Sequence, residues 1–243
     1  MQLRPATAPV DLGSSRIGLV ARPEPALFLA AYLVYDAARW LVAGGAPEAH
    51  RHAGWIIDLE RSAHVAIEGS IQRALDAPVT SWLLSTVYLA AQLVVLPAVL
   101  IWLHRRSRSV YRRLRNTVIA TWLIAVPIFA LFPVAPPRLA GIGVADTVSH
   151  HAAVALTGHS TLFYNPFAAV PSLHVGFAFA IGVAAAAALH APVARGLALL
   201  WGPLVTVSVV ATGNHYLFDV ATGLLVVAVG FAAGRLVPAL IRS

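Results

Sequence analysis

The chain has 243 residues, 59% of them hydrophobic and only 11% charged, with a formal net charge of +7. That balance excludes an ordinary soluble domain and points to a polytopic membrane protein. No cysteine is present, which excludes disulfides, thiolate metal sites and cysteine nucleophiles, and all seventeen residues counted as lysine or arginine are arginine.

Residues 1–25 carry Arg4, Arg16 and Arg22 among several prolines and read as a cytoplasmic polar tail, with 26–243 as a single membrane domain. Apolar runs that approach the thickness of a bilayer lie at 26–44, 79–103, 117–134, 173–190, 196–212 and 216–237. The expected fold is therefore all-α, with six transmembrane helices. The first run holds Asp36 and Arg39 and lacks a convincing cleavage site, so it reads as a retained helix and not as a signal peptide. Pro97, Pro127 and Pro203 lie inside these runs as tolerable kinks.

Between the first two runs, residues 50–76 place Ile56, Leu59, Ala63, Ile67, Ile71 and Leu75 at helical spacing, an amphipathic interfacial helix. Glu60 falls on its apolar face, where a salt bridge to Arg39 or Arg138 is the first expectation and a supporting place in a site the second. The connection from His104 to Asn116 holds six arginines and no acid, which predicts a cytoplasmic loop. With six spans, twelve arginines gather on that side, against four on the other: Arg51, Arg61, Arg73 and Arg138. Both termini are then cytoplasmic, in a multi-pass protein of the plasma membrane.

Three stretches on the opposite face carry polar chemistry. Phe132 to Arg138 is proline-stiffened and fixes a guanidinium just outside the bilayer, able to grip phosphate oxygens or lipid headgroups. Pro171-Ser172-Leu173-His174 opens an apolar run with an N-cap serine, free N–H groups and a histidine, a ready anion site or simply the start of a helix. Thr212 to Asp219 sets His215 and Asp219 four residues apart, so on a helix the carboxylate can orient the imidazole. His150, His151 and His159 in the longest connection lack the spacing and carboxylates of a convincing metal site, and no metal or cofactor is implied. Arg138, His174, His215 and Asp219 converge by topology on one surface, a set suited to phosphoryl transfer. On chemistry alone, His174 attacks phosphorus to give a phosphohistidine, while His215, held by Asp219, protonates the leaving oxygen.

In these motifs the chain resembles the type 2 phosphatidic acid phosphatase superfamily, over roughly residues 50–225. Pro171 to His174 is similar to the central Pro-Ser-x-His motif, and His215 to Asp219 to the closing His-x-x-x-Asp. The resemblance implies that His215 is the nucleophile that forms a phosphohistidine, Asp219 its orienting partner and His174 the general acid. Arg138, Ser172 and Asn214 would bind the substrate phosphate, with Glu60 and Thr212 as possible supports. Two family cations are absent: Leu131 stands at the position of a lysine, and Val209, preceded by Ser208, replaces a Ser-Arg pair. Pro-x-Ala-Pro-Pro-Arg, with Glu60, Glu68 and Gln72, looks more like the branch of inositol phosphorylceramide synthase. The implied activity is a metal-independent lipid phosphatase or headgroup phosphotransferase on the extracytoplasmic face. Its substrate would be a phospholipid or isoprenoid phosphate and its acceptor water or an inositol or sugar hydroxyl, with no nucleic-acid partner. The alternative is a catalytically silent lipid-binding or transport protein of the same fold.

Overall fold

The computed structural model describes residues 24–151 and 165–235. The tail before Glu24, His159 and Tyr164 of the longest connection, and Arg242 lie outside the described residues. Helices account for nearly all the regular structure described: α1 (Glu24–Leu41), α2 (Ala46–Ser62), α3 (Glu68–Ala74), α4 (Pro78–Ala90), α5 (Leu96–Arg106), α6 (Arg108–Leu131), α7 (Thr147–His151), α8 (Leu173–Ala188), α9 (Pro192–Ala211) and α10 (Leu217–Gly234). Among the described residues there is no named strand, only one isolated parallel bridge between Val134 and Ala168.

Among the described residues, four stretches are long and apolar enough to cross a membrane: Pro78–Arg106, Arg108–Leu131, Pro192–Ala211 and Leu217–Gly234. α8 is apolar but has 16 residues. α1 has 18 residues and includes Glu24, Asp36 and Arg39. α4 and α5 form one helix of 29 residues, interrupted by a π turn over Ala91–Val95. Pro97 explains the interruption: it has no N–H to donate, and its ring crowds the carbonyl four residues back, so the ladder shifts to a wider register. Pro127 and Pro203 sit inside α6 and α9, as expected of tolerated kinks.

Two expectations change here. The arginine-rich segment is not a loop, since α5 ends at Arg106 and α6 begins at Arg108, with Ser107 alone between them. Arginine is a good helix former, and its long side chain carries charge away from a helix end while the backbone stays hydrogen-bonded. The amphipathic segment is not one helix either. It breaks after Ser62, passes through His64 at φ 59°, and resumes at Glu68. Consequently Ala49, Ala53, Ile56, Ile57 and Glu60 are buried on α2, while Leu59 and Ile67 are exposed.

The main core lies between α5, α6 and α8, around Leu103, Val118, Phe129, Phe177 and Ile181. α1 docks on α6 through aromatic rings, Tyr35 stacking on Trp122 at 4.9 Å between centroids with Phe28 and Tyr32 beside it. Such pairs add roughly 0.5–1.5 kcal/mol beyond their area. α8 packs on both α9 and α10, and α10 on α6. Where α8 meets α10, Gly223 is required: a Cβ there would stand 2.3 Å from the Ser172 carbonyl oxygen. The close approach lets the Ser172 N–H donate to the Asp219 carbonyl at 3.0 Å, joining the starts of the two helices.

The three polar stretches around Arg138, His174 and His215 meet at one end of the bundle, where the Arg138 N–H donates to the Gly213 carbonyl and the Ser172 N–H to that of Asp219. The Val134 N–H donates to the Phe167 carbonyl, and the Ala135 N–H to that of Ala49 on α2. The Tyr216 hydroxyl donates to the Ala135 carbonyl at 3.1 Å. At the other end, the Asn116 amide donates to the Gly234 carbonyl beside the arginine-rich turn.

Candidate active site

The site grows from two helix starts. Ser172 caps α8, its Oγ accepting from the Val175 N–H at 3.5 Å, and this sets His174 in the first turn, facing inward. The ring of Tyr88, from α4, stacks on His174 at 4.3 Å and 18° and fixes its plane. At α10, the Asp219 carboxylate reaches back to the Tyr216 N–H at 3.0 Å and to His215 Nδ1 at 3.1 Å. One Asp219 oxygen therefore caps the helix and orients the imidazole together.

The two histidine rings face each other with centroids 6.0 Å apart. Both line a polar cavity of about 50 Å³, together with Arg138, Asn214, Tyr88, Gln92 and Arg39. Burial, and after it the Arg138 charge, lowers the His215 imidazole to about 3, with Arg39 adding to the effect and the Ala169 carbonyl opposing it. The ring is therefore neutral. In the tautomer whose Nδ1–H donates a hydrogen bond to Asp219, Nε2 keeps a lone pair.

Arg138 is held on three sides. Its backbone N–H donates to the Gly213 carbonyl at 3.0 Å, its Nε lies 3.4 Å from Asp146, and Nη1 donates to the Asn214 side-chain oxygen. Asn214 is itself held, its amide donating to Thr212 Oγ1 at 2.8 Å while that hydroxyl donates to the Ser208 carbonyl at 2.7 Å. The loop can turn here because Gly213 sits at φ +71°, a left-handed conformation that favours glycine.

The structure thus gathers Arg138, His174, Asn214, His215 and Asp219. Ser172 and Thr212 are fully buried behind the cavity wall, one as a cap and the other as the support of Asn214. His150 is exposed on α7. Glu60 departs from the first expectation, because its carboxylate accepts from the Phe218 N–H at 2.7 Å and meets Glu68 instead of pairing with Arg39 or Arg138. The physical reason is that α10 starts directly against α2, so an unsatisfied helix N–H lies closer to Glu60 than either guanidinium.

Arg39 is the residue that reading by motif does not place in the site. It stands near the end of α1, 3.9 Å from Asp36, lines the cavity and helps to lower His215 through its charge. Its own carbonyl accepts from the Asn165 amide at 2.9 Å, tying α1 to the connection before α8. The only signal in the sequence is a charged pair near the end of an otherwise apolar run. Of the two positions where the resembled pattern has cations, Leu131 is 81% exposed on the outside of the bundle and Val209 is fully buried.

A family model described as the PAP2 superfamily matches residues 54–233. The chain belongs to the PAP2 superfamily. Searches of curated proteins and of solved structures returned no match. PAP2 membership brings the fold of lipid phosphatases and phosphotransferases, and with it a lipid phosphate as the general kind of substrate. The matched region begins within α2 and ends within α10, so it takes in Glu60, Arg138, His174, His215 and Asp219.

Proposed function

We propose that this protein cleaves a phosphate ester of a membrane lipid through a phosphohistidine on His215. One observation carries the reading: two histidines face each other across a small polar cavity with arginines on its wall, and one of them is hydrogen-bonded to a buried aspartate. Nε2 of His215 attacks phosphorus and the phosphorus–oxygen bond to the lipid breaks. The departing oxygen takes its proton from His174. In the second half, His174 removes a proton from water or an alcohol, which attacks phosphorus and releases His215. Arg138, Arg39 and the first N–H groups of α8 hold the equatorial oxygens, where charge must be stabilised throughout. Arg39 on α1 takes the place of the cations missing at Leu131 and Val209. Ser172 and Thr212 act from behind the wall, and Asn214 orients Arg138.

A lipid fits this site for a second reason. Gln92, at the π turn, lines the polar cavity and also an apolar groove of about 650 Å³, walled by Phe28, Leu29, Tyr32, Leu96 and Leu100. A headgroup in the cavity and a hydrocarbon chain in the groove would meet at Gln92. In this reading α1 and α8 also cross the bilayer, giving six spans with α2 and α3 on the outer surface. The arginine-rich turn then lies inside, and the site faces out. The protein is a multi-pass component of the plasma membrane.

The branch resembling inositol phosphorylceramide synthase transfers a headgroup instead of hydrolysing it, and acceptor choice is open to direct assay. Purified protein is incubated with phospholipids and isoprenoid phosphates, with and without inositol, and products are read by mass spectrometry. Free phosphate or a dephosphorylated lipid indicates a phosphatase, and a new phosphodiester a transferase. No product from any lipid phosphate contradicts the proposal and favours a silent lipid binder.

A further inference from the structure

The first turn of α10 carries the His215–Asp219 pair, and what satisfies its free N–H groups is unusual. Three successive backbone donors are met by three different carboxylates. The Tyr216 N–H goes to Asp219 at 3.0 Å, the Leu217 N–H to Glu68 at 3.1 Å, and the Phe218 N–H to Glu60 at 2.7 Å. Only the first of these is local. Glu60 lies in the last turn of α2 and Glu68 begins α3, and each is 3% exposed. The two carboxyl groups lie within hydrogen-bonding reach of each other. Two buried carboxylates side by side repel, and a shared proton relieves that repulsion. Gln72, one turn along α3, completes the clamp: its amide donates to the Ala145 and Ala211 carbonyls at 3.0 Å each and its oxygen accepts from the Ala145 N–H.

We propose that Glu60 and Glu68 are positioning residues for His215, their two carboxyl groups holding the first turn of α10 by its backbone N–H groups. Neither lines the polar cavity, so both act through the backbone. The role rests on the reading of His215 as the attacking group. It also gives the break between α2 and α3 a purpose. One unbroken helix could not present two carboxylates eight residues apart to adjacent N–H groups, because successive turns would carry them about 12 Å apart.

The pair gives the site a pH dependence. Burial, reinforced by Glu68 and Asp219 and opposed by the Phe218 N–H, pushes Glu60 up to about 8. The groups around it are Glu68 and Arg73 on α3, Arg61 on α2, and Tyr216 and Asp219 at the start of α10; Glu60, Glu68, Tyr216 and the two exposed arginines line a second cavity of about 190 Å³. Above about pH 8 the shared proton leaves, the two carboxylates repel, and the turn that holds His215 loosens. His215 does not set this limb, since its ring is neutral well below that pH.

The test compares Glu60→Ala and Glu60→Gln in the full-length protein, using a lipid phosphate turned over by the wild type. In Glu60→Gln the new side-chain oxygen can still accept from the Phe218 N–H, while the amide donates to Glu68 as the shared proton does. The expected result for Glu60→Ala is a loss of about tenfold or more in kcat with KM changed less than about threefold, the signature of a misplaced reacting group. For Glu60→Gln it is kcat within about threefold of wild type at pH 7 and loss of the alkaline fall near pH 8. An unchanged alkaline limb in Glu60→Gln, or kcat within about twofold of wild type in Glu60→Ala, overturns the proposal. A second readout needs no turnover: ¹⁵N-histidine NMR of wild type and both variants, with His215 assigned by its absence in His215→Ala. A displaced or broadened His215 signal in Glu60→Ala, restored in Glu60→Gln, supports the clamp even if no lipid phosphate is cleaved. An unmoved signal in Glu60→Ala refutes it, whatever the substrate.

Discussion

The candidate site turns on one carboxylate with two contacts. Asp219 orients His215 and caps α10, so the side chain that positions the imidazole also fixes the backbone that carries it. The contact between His215 and Asp219 could be read from spacing, because residues four apart at a helix start share a face. Arg39 could not be read in this way, because its place depends on how α1 leans against α6, and nothing in a run of apolar residues encodes that contact. Its function is testable. Charge-assisted hydrogen bonds to phosphate contribute about 1.5–3 kcal/mol each. Replacing Arg39 by alanine should lower kcat/KM for a lipid phosphate by about 10- to 100-fold at that energy, and Arg39→Lys should restore part of it. A kcat/KM within about twofold of wild type in Arg39→Ala would remove Arg39 from the phosphate site.

At the scale of elements, the site is a junction between two helix starts. Ser172 N–H donates to the Asp219 carbonyl across a contact that only Gly223 permits. A methyl group at 223 meets backbone, which cannot rotate away, so α8 and α10 must part. Gly223→Ala is expected to cost about 1–3 kcal/mol of stability through overpacking and to lower kcat far more than its effect on folded yield explains. Thermal unfolding measured beside turnover checks this, and a variant with wild-type kcat would show that the junction is not critical. Several elements are legible from apolar runs: the run expected at 79–103 is the helix Pro78–Arg106, and that at 196–212 is α9. The break between α2 and α3 is not, because it turns on His64 at φ 59°, a left-handed conformation uncommon for a non-glycine residue, where the helical spacing of apolar residues runs on unbroken in the sequence. The arginine-rich segment misleads for the opposite reason. Charge marks where a membrane ends but does not end a helix.

Over the whole molecule, the two ends of the bundle have different chemistry. Every group assigned to the site lies where α2, α3 and the connections before α8 and α10 meet, and the arginine-rich turn lies at the other end. Between them, large apolar side chains such as Leu93, Ile101, Leu123, Val193, Leu197 and Leu225 are exposed, which a bilayer would cover. The PAP2 superfamily assignment and this polarity agree with the motifs that suggested a lipid phosphate. The most direct test is to quench the protein during turnover of a ³²P-labelled lipid phosphate under alkaline conditions that preserve phosphohistidine, and to locate the label by peptide mass spectrometry. The expected result is phosphate on His215, absent from His215→Ala. Phosphate found on His174, or full turnover by His215→Ala, would contradict the account.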